Sequence, residues 1–367
     1  MRGTMRRKAH PNPIPYYIVG VILAIILSAT LTHFLLSNQT THSQSNHIHN
    51  PGIRFASPTP APTPAPTPAP TPTPGPPSIH VLTYATHRGS DDLFCKMLTS
   101  AWDNKIDIRL LGWGVEWHGL VDKLVGVTRA LQSLDPDDWV VFVDAYDVLF
   151  TQGPETLLAS LEAAFDAYGV DPASSRVLFA GEKGCWPYMD GRKDGKRLCQ
   201  EVYPASPTPY RYLNSGVWAG KVHAAQTLME IIGDAVQSAP EGANDQEICT
   251  DLYVGRLNTP AAARYPPIFL DWETRVFMCV HMSQSELALP DVRNSVTGNT
   301  PSVLHFNGGS KNAIRPTAAT LHNRFSPSSS TTPVFARATS SDSDPSAPFV
   351  FEYVSFSDLS CPGYPKP

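Results

Sequence analysis

From residue 79 onward, two patterns of apolar residues alternate along the chain. Short apolar runs rich in β-branched residues predict strands, and apolar residues at helical spacing predict helices. The predicted strands are 80–86, 106–112, 139–145, 176–182, a short strand entered through LNSGVWAG (213–220), and 302–309. The predicted helices are 91–102, about 120–134, 154–165, 223–236, and one opened by NDQEICTDLYV (244–254). This alternation predicts an α/β layered fold with a mostly parallel sheet.

One apolar run, YYIVGVILAIILSATLTHFLL at 16–36, stands apart from these patterns because it is long enough to cross a hydrocarbon core. Four basic residues precede it, so the positive-inside rule predicts a cytoplasmic tail at 1–15 and a type II membrane protein. The alternative is a cleaved signal peptide with its cut near 28–30. Because the apolar run continues past that point, an uncleaved transmembrane anchor is favoured.

The rest of the chain divides by composition into a stem, a body and a tail. Residues 37–78 include PTPAPTPAPTPAPTPTPGPP, which predicts an extended, coreless spacer. The body, 79–315, is long enough to form one domain with a sizeable core. Residues 316–367 are rich in Ser, Thr and Pro and predict a tail, in which FVFEYVSF (349–356) could add one strand.

Charge is distributed unevenly along the chain. No acidic residue precedes Asp91, and 22 basic and 33 acidic residues follow residue 90, which gives that part a net charge of about −11. Nucleic-acid binding needs clustered Lys and Arg, so this composition argues against a nucleic-acid partner. A ligand that binds together with a metal cation suits this negative charge better.

All six cysteines follow the apolar run, as expected if the body lies in an oxidising compartment. They contain no CxxC pair, which argues against a zinc knuckle. Cys185 and Cys199 bracket a short charged loop and are the first expected disulfide.

The stretch WVVFVDAYDVLF (139–150) places Asp144 and Asp147 at the end of a buried strand. Charge there is costly unless something offsets it. A lone Asp would be explained by capping of a turn, but two on one sharp turn can converge as oxygen ligands for Mg²⁺ or Mn²⁺ together with a substrate phosphate. The sequence has no GxxxxGK[ST] and no strand-linked GxGxxG, which leaves nucleotide-diphosphate enzymes whose metal carries the diphosphate charge.

The motifs of the body, taken in order, resemble those of a known family. They are VLTYAT, LGWGVEW, VFVDAYDV, GEKGCWP, LNSG, NDQ, FLD and HFNGGSK, which together span His80 to Lys311. In this order they resemble the glycosyltransferase domain of the procollagen lysyl hydroxylases (PLOD type) and related collagen-type sugar transferases. The resemblance implies a GT-A type fold, in which a nucleotide-binding half is followed by an acceptor half, with Mn²⁺ and a UDP-sugar donor.

The resemblance also implies a role for individual residues. Asp144, Asp147 and His305 fall on the metal-binding positions, and the imidazole suits Mn²⁺ better than Mg²⁺. Contacts to the diphosphate are implied for Asn307, Gly308 and Lys311. Contacts to the nucleotide or the sugar are implied for Thr83, Tyr84, Trp117, Lys123, Tyr146, Trp186, Asn214 and Ser215. Core packing for the aromatic residues, a solvated face for the lysine and a tight turn for LNSG are the alternatives.

The reaction that the resemblance implies is transfer of glucose or galactose from UDP-glucose or UDP-galactose to a hydroxyl of a protein or glycan. Asp245 is the first candidate for the catalytic group at the sugar and Glu182 the second, beside Asn214. A type II anchor would place this hexosyltransferase in the lumen of the Golgi or endoplasmic reticulum. The family's hydroxylases continue into an iron and 2-oxoglutarate domain that this sequence does not display, so hydroxylation is not expected. The alternative is a tethered, non-catalytic relative that binds a glycan or a nucleotide sugar.

Overall fold

A computed structural model of the chain describes residues 78–86, 92–189, 194–238, 244–257, 267–322, 334–339 and 349–361. Within these ranges, no helix combines the length and the apolar character needed to cross a bilayer. The predicted basic tail, the predicted anchor and nearly all of the predicted stem lie outside the described residues, so these remain predictions.

Most of the predicted elements are present, with ends shifted by a few residues. The strands in the described residues are β1 (Ile79–Tyr84), β2 (Ile108–Leu111), β3 (Trp139–Asp144), β4 (Val148–Phe150), β5 (Val177–Glu182), β6 (Tyr212–Lys221), β7 (Ile268–Asp271), β8 (Phe277–Cys279), β9 (Leu287–Ala288), β10 (Arg293–Asn294), β11 (Val303–His305), β12 (Val334–Thr339) and β13 (Val350–Ser355). The main helices are α1 (Asp92–Asp103), α2 (Leu120–Leu131), α3 (Pro154–Ala167), α4 (Val222–Ser238), α5 (Asp245–Tyr253) and α6 (Ile314–His322), and a 3₁₀ turn at Gly308–Ala313 leads into α6.

The strands form a large mixed sheet in the order β13-β12-β2-β1-β3-β6-β5-β7 and a small one in the order β4-β11-β8. The α/β alternation is therefore confirmed, but the large sheet is less parallel than predicted. Strand β6 runs antiparallel to both β3 and β5, and β13 runs antiparallel to β12. The long LNSGVWAG strand was predicted only as a loop entering a short strand, because its Gly, Asn and Ser residues are typical of turns.

Both faces of the large sheet are covered by helices, which explains why β3 is apolar at every position before Asp144. Val141 and Val143 belong to the core shared with α1 and α3. Val140 and Phe142 point the other way, into the core shared with α2, α4 and α5. A strand buried on both faces can place a charge only where it ends, and β3 does so at Asp144.

The folded body extends beyond the predicted boundary at residue 315. Helix α6 packs its apolar side into a core with β11, and β12 pairs in parallel with β2 at the edge of the large sheet. Phe335 in β12 is 1% exposed. The predicted tail is therefore part of the domain where it is described, and the sequence signal was weak because β12 buries mainly alanines beside this one aromatic residue.

Two disulfides join cysteines of the body. The predicted Cys185–Cys199 pair is confirmed. Cys95 in α1 pairs with Cys361, which ties the C-terminal strands back to the core across 266 residues of sequence. Cys249 and Cys279 are free and buried.

The turn between β7 and β8 is organised by one buried carboxylate, that of Asp271. One of its oxygens accepts hydrogen bonds from the Tyr168 hydroxyl and the Arg275 amide, each at 2.9 Å. The other accepts from the amides of Val276 at 2.8 Å and Phe277 at 2.9 Å. Because Asp271 is 0% exposed, these donors replace all of its water.

Replacing Asp271 by Asn should destabilise the domain by about 3 kcal/mol, since an amide cannot accept all four hydrogen bonds and its NH₂ group would face backbone donors. Chemical denaturation of the two proteins measures this difference. Asp291→Asn, at an exposed position in the turn before β10, is the control and should change stability by less than about 0.5 kcal/mol. Equal effects of the two substitutions would contradict this account of the turn.

Candidate functional site

The chain passes from the large sheet to the small one within a single acidic turn. Strand β3 ends at Asp144, and β4 begins at Val148, one residue after Asp147. Strand β4 pairs antiparallel with β11, where Val148 lies opposite His305. The Phe306 amide donates to the Asp147 carbonyl at 2.7 Å, which continues the pairing by one step. This register brings residues that are far apart in sequence to the same corner of the fold.

At that corner, Asp144, Asp147 and His305 form a cluster whose candidate ligand atoms all lie within 4.8 Å of one another. His305 Nε2 lies 3.3 Å from Asp147 Oδ1, and these two residues are 3% and 6% exposed. Two carboxylates and one imidazole are the ligand types that Mn²⁺ accepts. The three side chains that were expected to meet from the sequence therefore do meet.

The electrostatics of the cluster favour a positive charge between the carboxylates. Burial alone would raise the pKa of Asp147, but His305 and Lys311 lower it to about 2. Burial would lower the pKa of His305, yet the surrounding carboxylates raise it. Loss of solvent raises the pKa of Asp144, Lys123 opposes that shift, and Asp147 adds to it. Two acids this close need positive charge, which Lys123 and Lys311 supply in part, and a proton on the imidazole or a metal ion can supply more.

Gly216 in β6 leaves room for the cluster. A Cβ at this position would lie 2.6 Å from Asp144 Oδ2 and 2.9 Å from His305 Nε2, closer than real Cβ contacts. Strand β6 is irregular here, since its register with β5 shifts between Phe179 and Ala180. Any side chain at Gly216 would thus occupy the space beside two of the three candidate ligands.

Lys123 connects the acidic turn to the second half of the domain. Its ammonium group lies 2.9 Å from Asp144 Oδ1 and 2.9 Å from Asp245 Oδ2, and 4.8 Å from the centre of the Phe142 ring. Burial would raise the pKa of Asp245, but Lys123 lowers it. Asp245 is therefore held ionised by its ion pair, which makes it a weaker proton acceptor than its sequence position suggested.

Glu182, at the end of β5, lies in a different environment. The Gln246 amide donates to Oε1 at 2.6 Å, the Asn214 amide to Oε1 at 3.2 Å, and the Asn307 amide to Oε2 at 2.8 Å. Burial raises the pKa of Glu182 to about 7, although these donors and the charge of His305 oppose the shift. A carboxylate with this pKa, held by neutral groups, is suited to proton transfer near neutral pH.

Gln246 was not predicted from the sequence, although it stands in the NDQ motif. It is 5% exposed, and its amide also donates to the carbonyls of Leu213 at 2.9 Å and Trp186 at 3.1 Å. Gln246 thereby holds β6 and the loop after Glu182 in place around the carboxylate. The sequence does not indicate its role, because a buried Gln carries no charge or reactive group that a sequence pattern could point to.

Tyr84, at the end of β1, is held between two glycines on the other side of the acidic turn. A Cβ at Gly112 or at Gly126 would come within 2.5 Å of its ring. The ring centre of Trp117 lies 6.0 Å from that of Tyr84, and Trp117 is 50% exposed. Burial, with a contribution from Asp122, raises the pKa of Tyr84 to about 12, so the phenol stays neutral. The two rings present an aromatic surface that could pack against a base.

The remaining predicted residues lie near the corner but differ in how far their side chains are exposed to solvent. Thr83 is 0% exposed and donates its hydroxyl to the Val143 carbonyl at 2.8 Å, so the structure gives it a role inside the sheet. Tyr146 packs its ring 5.9 Å from that of Phe94. Ser215 lines a cavity of about 40 Å³ together with Lys123 and Asp245.

Trp186 is 45% exposed, in the loop after Glu182. Gly308 opens the 3₁₀ turn with φ 54°, a conformation that favours glycine. Lys311, in the same turn, places its ammonium group 3.0 Å from Asp147 Oδ2.

A comparison with protein families matches residues 76–331 to the PLOD GT domain. The chain is 28% identical over 252 residues to the human multifunctional procollagen lysine hydroxylase and glycosyltransferase LH3, covering 64% of this chain and 30% of that protein. It is 26% identical over 266 residues to the multifunctional procollagen lysine hydroxylase and glycosyltransferase of Caenorhabditis elegans, covering 68% and 33%. The chain thus spans about a third of the length of these relatives.

Solved structures similar to the chain have low sequence identity to it. The WbbM bifunctional glycosyltransferase matches with a TM-score of 0.38 and 12% identity, over 68% of this chain and 52% of that one. A glycosyltransferase involved in glycosylation of the major capsid of PBCV-1 matches with a TM-score of 0.35 and 10% identity, over 66% and 99%.

Gly216→Ala should weaken Mn²⁺ binding at least tenfold, because the added methyl group must displace the Asp144 carboxylate or the His305 ring. Free Mn²⁺ can be counted by electron paramagnetic resonance during titration of the full chain. Gly220→Ala, in the same strand, is the matched control, since a Cβ there meets its nearest atom at 3.3 Å. Unchanged Mn²⁺ affinity in Gly216→Ala would contradict the claim that this glycine leaves room for a metal ion at the cluster.

Proposed function

The chain belongs to the family of PLOD GT domains, and on that premise we propose that it is a metal-dependent glycosyltransferase with a GT-A type fold. It moves glucose or galactose from a UDP-sugar to a hydroxyl of a protein or glycan acceptor. The observation that carries this proposal is the convergence of Asp144, Asp147 and His305 on one corner of the fold. Lysines flank the corner on both sides, which suits a diphosphate.

The donor set of this corner fits a divalent cation, with Mn²⁺ preferred over Mg²⁺ because one ligand is an imidazole. Asp144, Asp147 and His305 would hold the ion, and the space preserved by Gly216 supports this fit. When bound, the ion would act as a Lewis acid that offsets the charge developing on the diphosphate.

The residues around the corner supply separate parts of a UDP-sugar site. Tyr84 and Trp117 would pack against the uracil, as aromatic residues pack against bases elsewhere. Asn307 and Gly308, at the start of the 3₁₀ turn, would offer their backbone amides to the diphosphate. Lys311 is half exposed and can move from Asp147 to the β-phosphate.

In the transfer step, the acceptor oxygen bonds to the anomeric carbon while the bond from that carbon to the β-phosphate oxygen breaks. UDP leaves with the electron pair of the broken bond, and Lys311 balances its charge. Glu182 receives the proton of the acceptor hydroxyl. We prefer Glu182 to Asp245 for this role because Asp245 is committed to its ion pair with Lys123. Asn214 and Gln246 orient the Glu182 carboxylate.

The setting of the enzyme is part of the proposal. Residues 16–36 would anchor the chain as a type II membrane protein, with the folded body in the lumen of the Golgi or endoplasmic reticulum. The Cys95–Cys361 and Cys185–Cys199 disulfides support an oxidising compartment.

The full chain should release UDP from UDP-glucose or UDP-galactose in the presence of Mn²⁺ and an acceptor, and EDTA should abolish the release. Asp147→Asn should lower the rate at least about 100-fold, since it removes a proposed metal ligand. Asp107→Asn, at an exposed position, is the control and should keep the wild-type rate. Release that persists in EDTA would overturn the metal role, and no release with any donor would favour a non-catalytic binding protein.

The dependence of activity on pH should report Glu182. A base must be ionised, and burial raises the pKa of Glu182 to about 7, so kcat/KM should fall as the pH drops below about 7. Glu182→Gln should lower kcat by about 100-fold and remove this pH dependence. The exposed control Glu155→Gln should keep the wild-type profile. If kcat/KM of Glu182→Gln still falls below about pH 7, the pH dependence belongs to another group.

A further inference from the structure

Three large apolar side chains are exposed beside the Glu182 corner. Trp186, Met189 and Met282 are 45%, 55% and 54% exposed. Trp186 and Met189 belong to the loop after β5, whereas Met282 follows β8, so two separate segments contribute exposed apolar side chains to this corner. These three side chains are named the apolar patch. Single exposed apolar residues are common, but a group of them next to a candidate catalytic carboxylate is informative.

The position of Gly184 shows how close this patch is to Glu182. The point that a Gly184 Cβ would occupy lies 3.4 Å from the Met189 sulfur, 3.7 Å from the Met282 sulfur and 3.7 Å from Glu182 Oε2. Both thioethers and the carboxylate therefore border the same small space. Glycine keeps that space open between them.

The patch is held in place from several sides. The Cys185–Cys199 disulfide closes the loop that carries Trp186, and the Gln246 amide donates to the Trp186 carbonyl at 3.1 Å. Met282 has φ 62°, a left-handed conformation that few residues other than glycine adopt. The exposed apolar surface is thus a built feature of the corner.

Lys183, which lies beside Met282 in the described part of the chain, is already paired. Lys183 donates to the Met282 carbonyl at 3.3 Å, and its ammonium group forms an ion pair with Glu286. The patch itself consists of an indole and two thioethers, and methionine side chains adapt to apolar groups of varied shape. The patch therefore suits a ligand in which a hydroxyl lies next to an uncharged apolar group.

We propose that Trp186, Met189 and Met282 form an acceptor subsite that binds the apolar part of the acceptor and so presents its hydroxyl to Glu182. The acceptor class is then a hydroxyl carried on an apolar, uncharged group. This inference rests on the proposed function, because it assigns the acceptor side of the same transfer. Gly184 determines the width of the subsite because it has no side chain, and the methionines determine its preference for apolar groups.

Binding can be tested without turnover by labelling the methionine methyl groups of the full chain with ¹³C and recording NMR spectra with Mn²⁺ replaced by Mg²⁺ and with UDP present. The probes are hexyl β-galactoside and methyl β-galactoside, which share a sugar and differ in apolar length. The Met189 and Met282 signals, assigned from Met→Leu variants, should shift with the hexyl probe, with an affinity about tenfold higher than for the methyl probe. The buried Met97 and Met278 are internal references and should not respond.

Gly184→Ala tests the same subsite sterically. The added methyl group fits without a clash, since its nearest atom lies at 3.4 Å, but it fills the space between the two sulfurs. It should reduce the preference for the hexyl probe to about twofold or less, and Met282→Ala should do the same. Val296→Ala, 48% exposed in the turn after β10, is the exposure-matched control and should leave the preference unchanged.

Equal responses to the two probes, no shift of Met189 and Met282, or an unchanged preference in Gly184→Ala would each overturn the acceptor subsite. UDP release is measured separately. Loss of UDP release with a normal hexyl preference would count against the proposed function alone. UDP release without any hexyl preference would count against the subsite alone.

Discussion

The site depends on the attraction between two crowded carboxylates and the positive groups around them. Asp144 and Asp147 end a strand that is buried on both faces, so their charge must be offset by groups of the protein or by a cation. His305 and Lys311 face Asp147, and Lys123 faces Asp144. The pairing of β4 with β11 brings the imidazole to the acids, so the small sheet is what makes the cluster possible.

The same corner holds a third carboxylate in an opposite environment. Asp147 lies among cationic groups that lower its pKa to about 2, whereas Glu182 lies among neutral amides and burial raises its pKa to about 7. Carboxylates whose pKa values differ in this way can have different roles, one as a permanent anion and the other as a proton acceptor. Asn307 links the two environments, since it donates to Glu182 and stands two residues after His305. The apolar patch formed by Trp186, Met189 and Met282 lies on the Glu182 side of the corner.

Sequence reasoning succeeded where one local pattern had one physical meaning. The apolar run ending in Asp144 predicted a buried strand with a carboxylate at its end, and the short loop between Cys185 and Cys199 predicted their disulfide. His305 came only from the family resemblance, because nothing local relates β11 to a turn more than 150 residues earlier. Gly216 and Gln246 were missed because their roles depend on close approaches in space, and β12 because its buried positions are mostly small. The strand expected within residues 349–356 is present as β13. A short strand was predicted at β6, but its full length was not, because its Asn, Ser and Gly residues are typical of a turn. Its antiparallel direction was not predicted either.

The most direct test of the central claim is a crystal structure of the full chain with Mn²⁺ and UDP, in which anomalous scattering locates the ion. The account predicts one anomalous peak within bonding distance of Asp144, Asp147 and His305, with the diphosphate of UDP on the same ion. A peak elsewhere, or UDP bound at this corner with no ion between the three side chains, would contradict it.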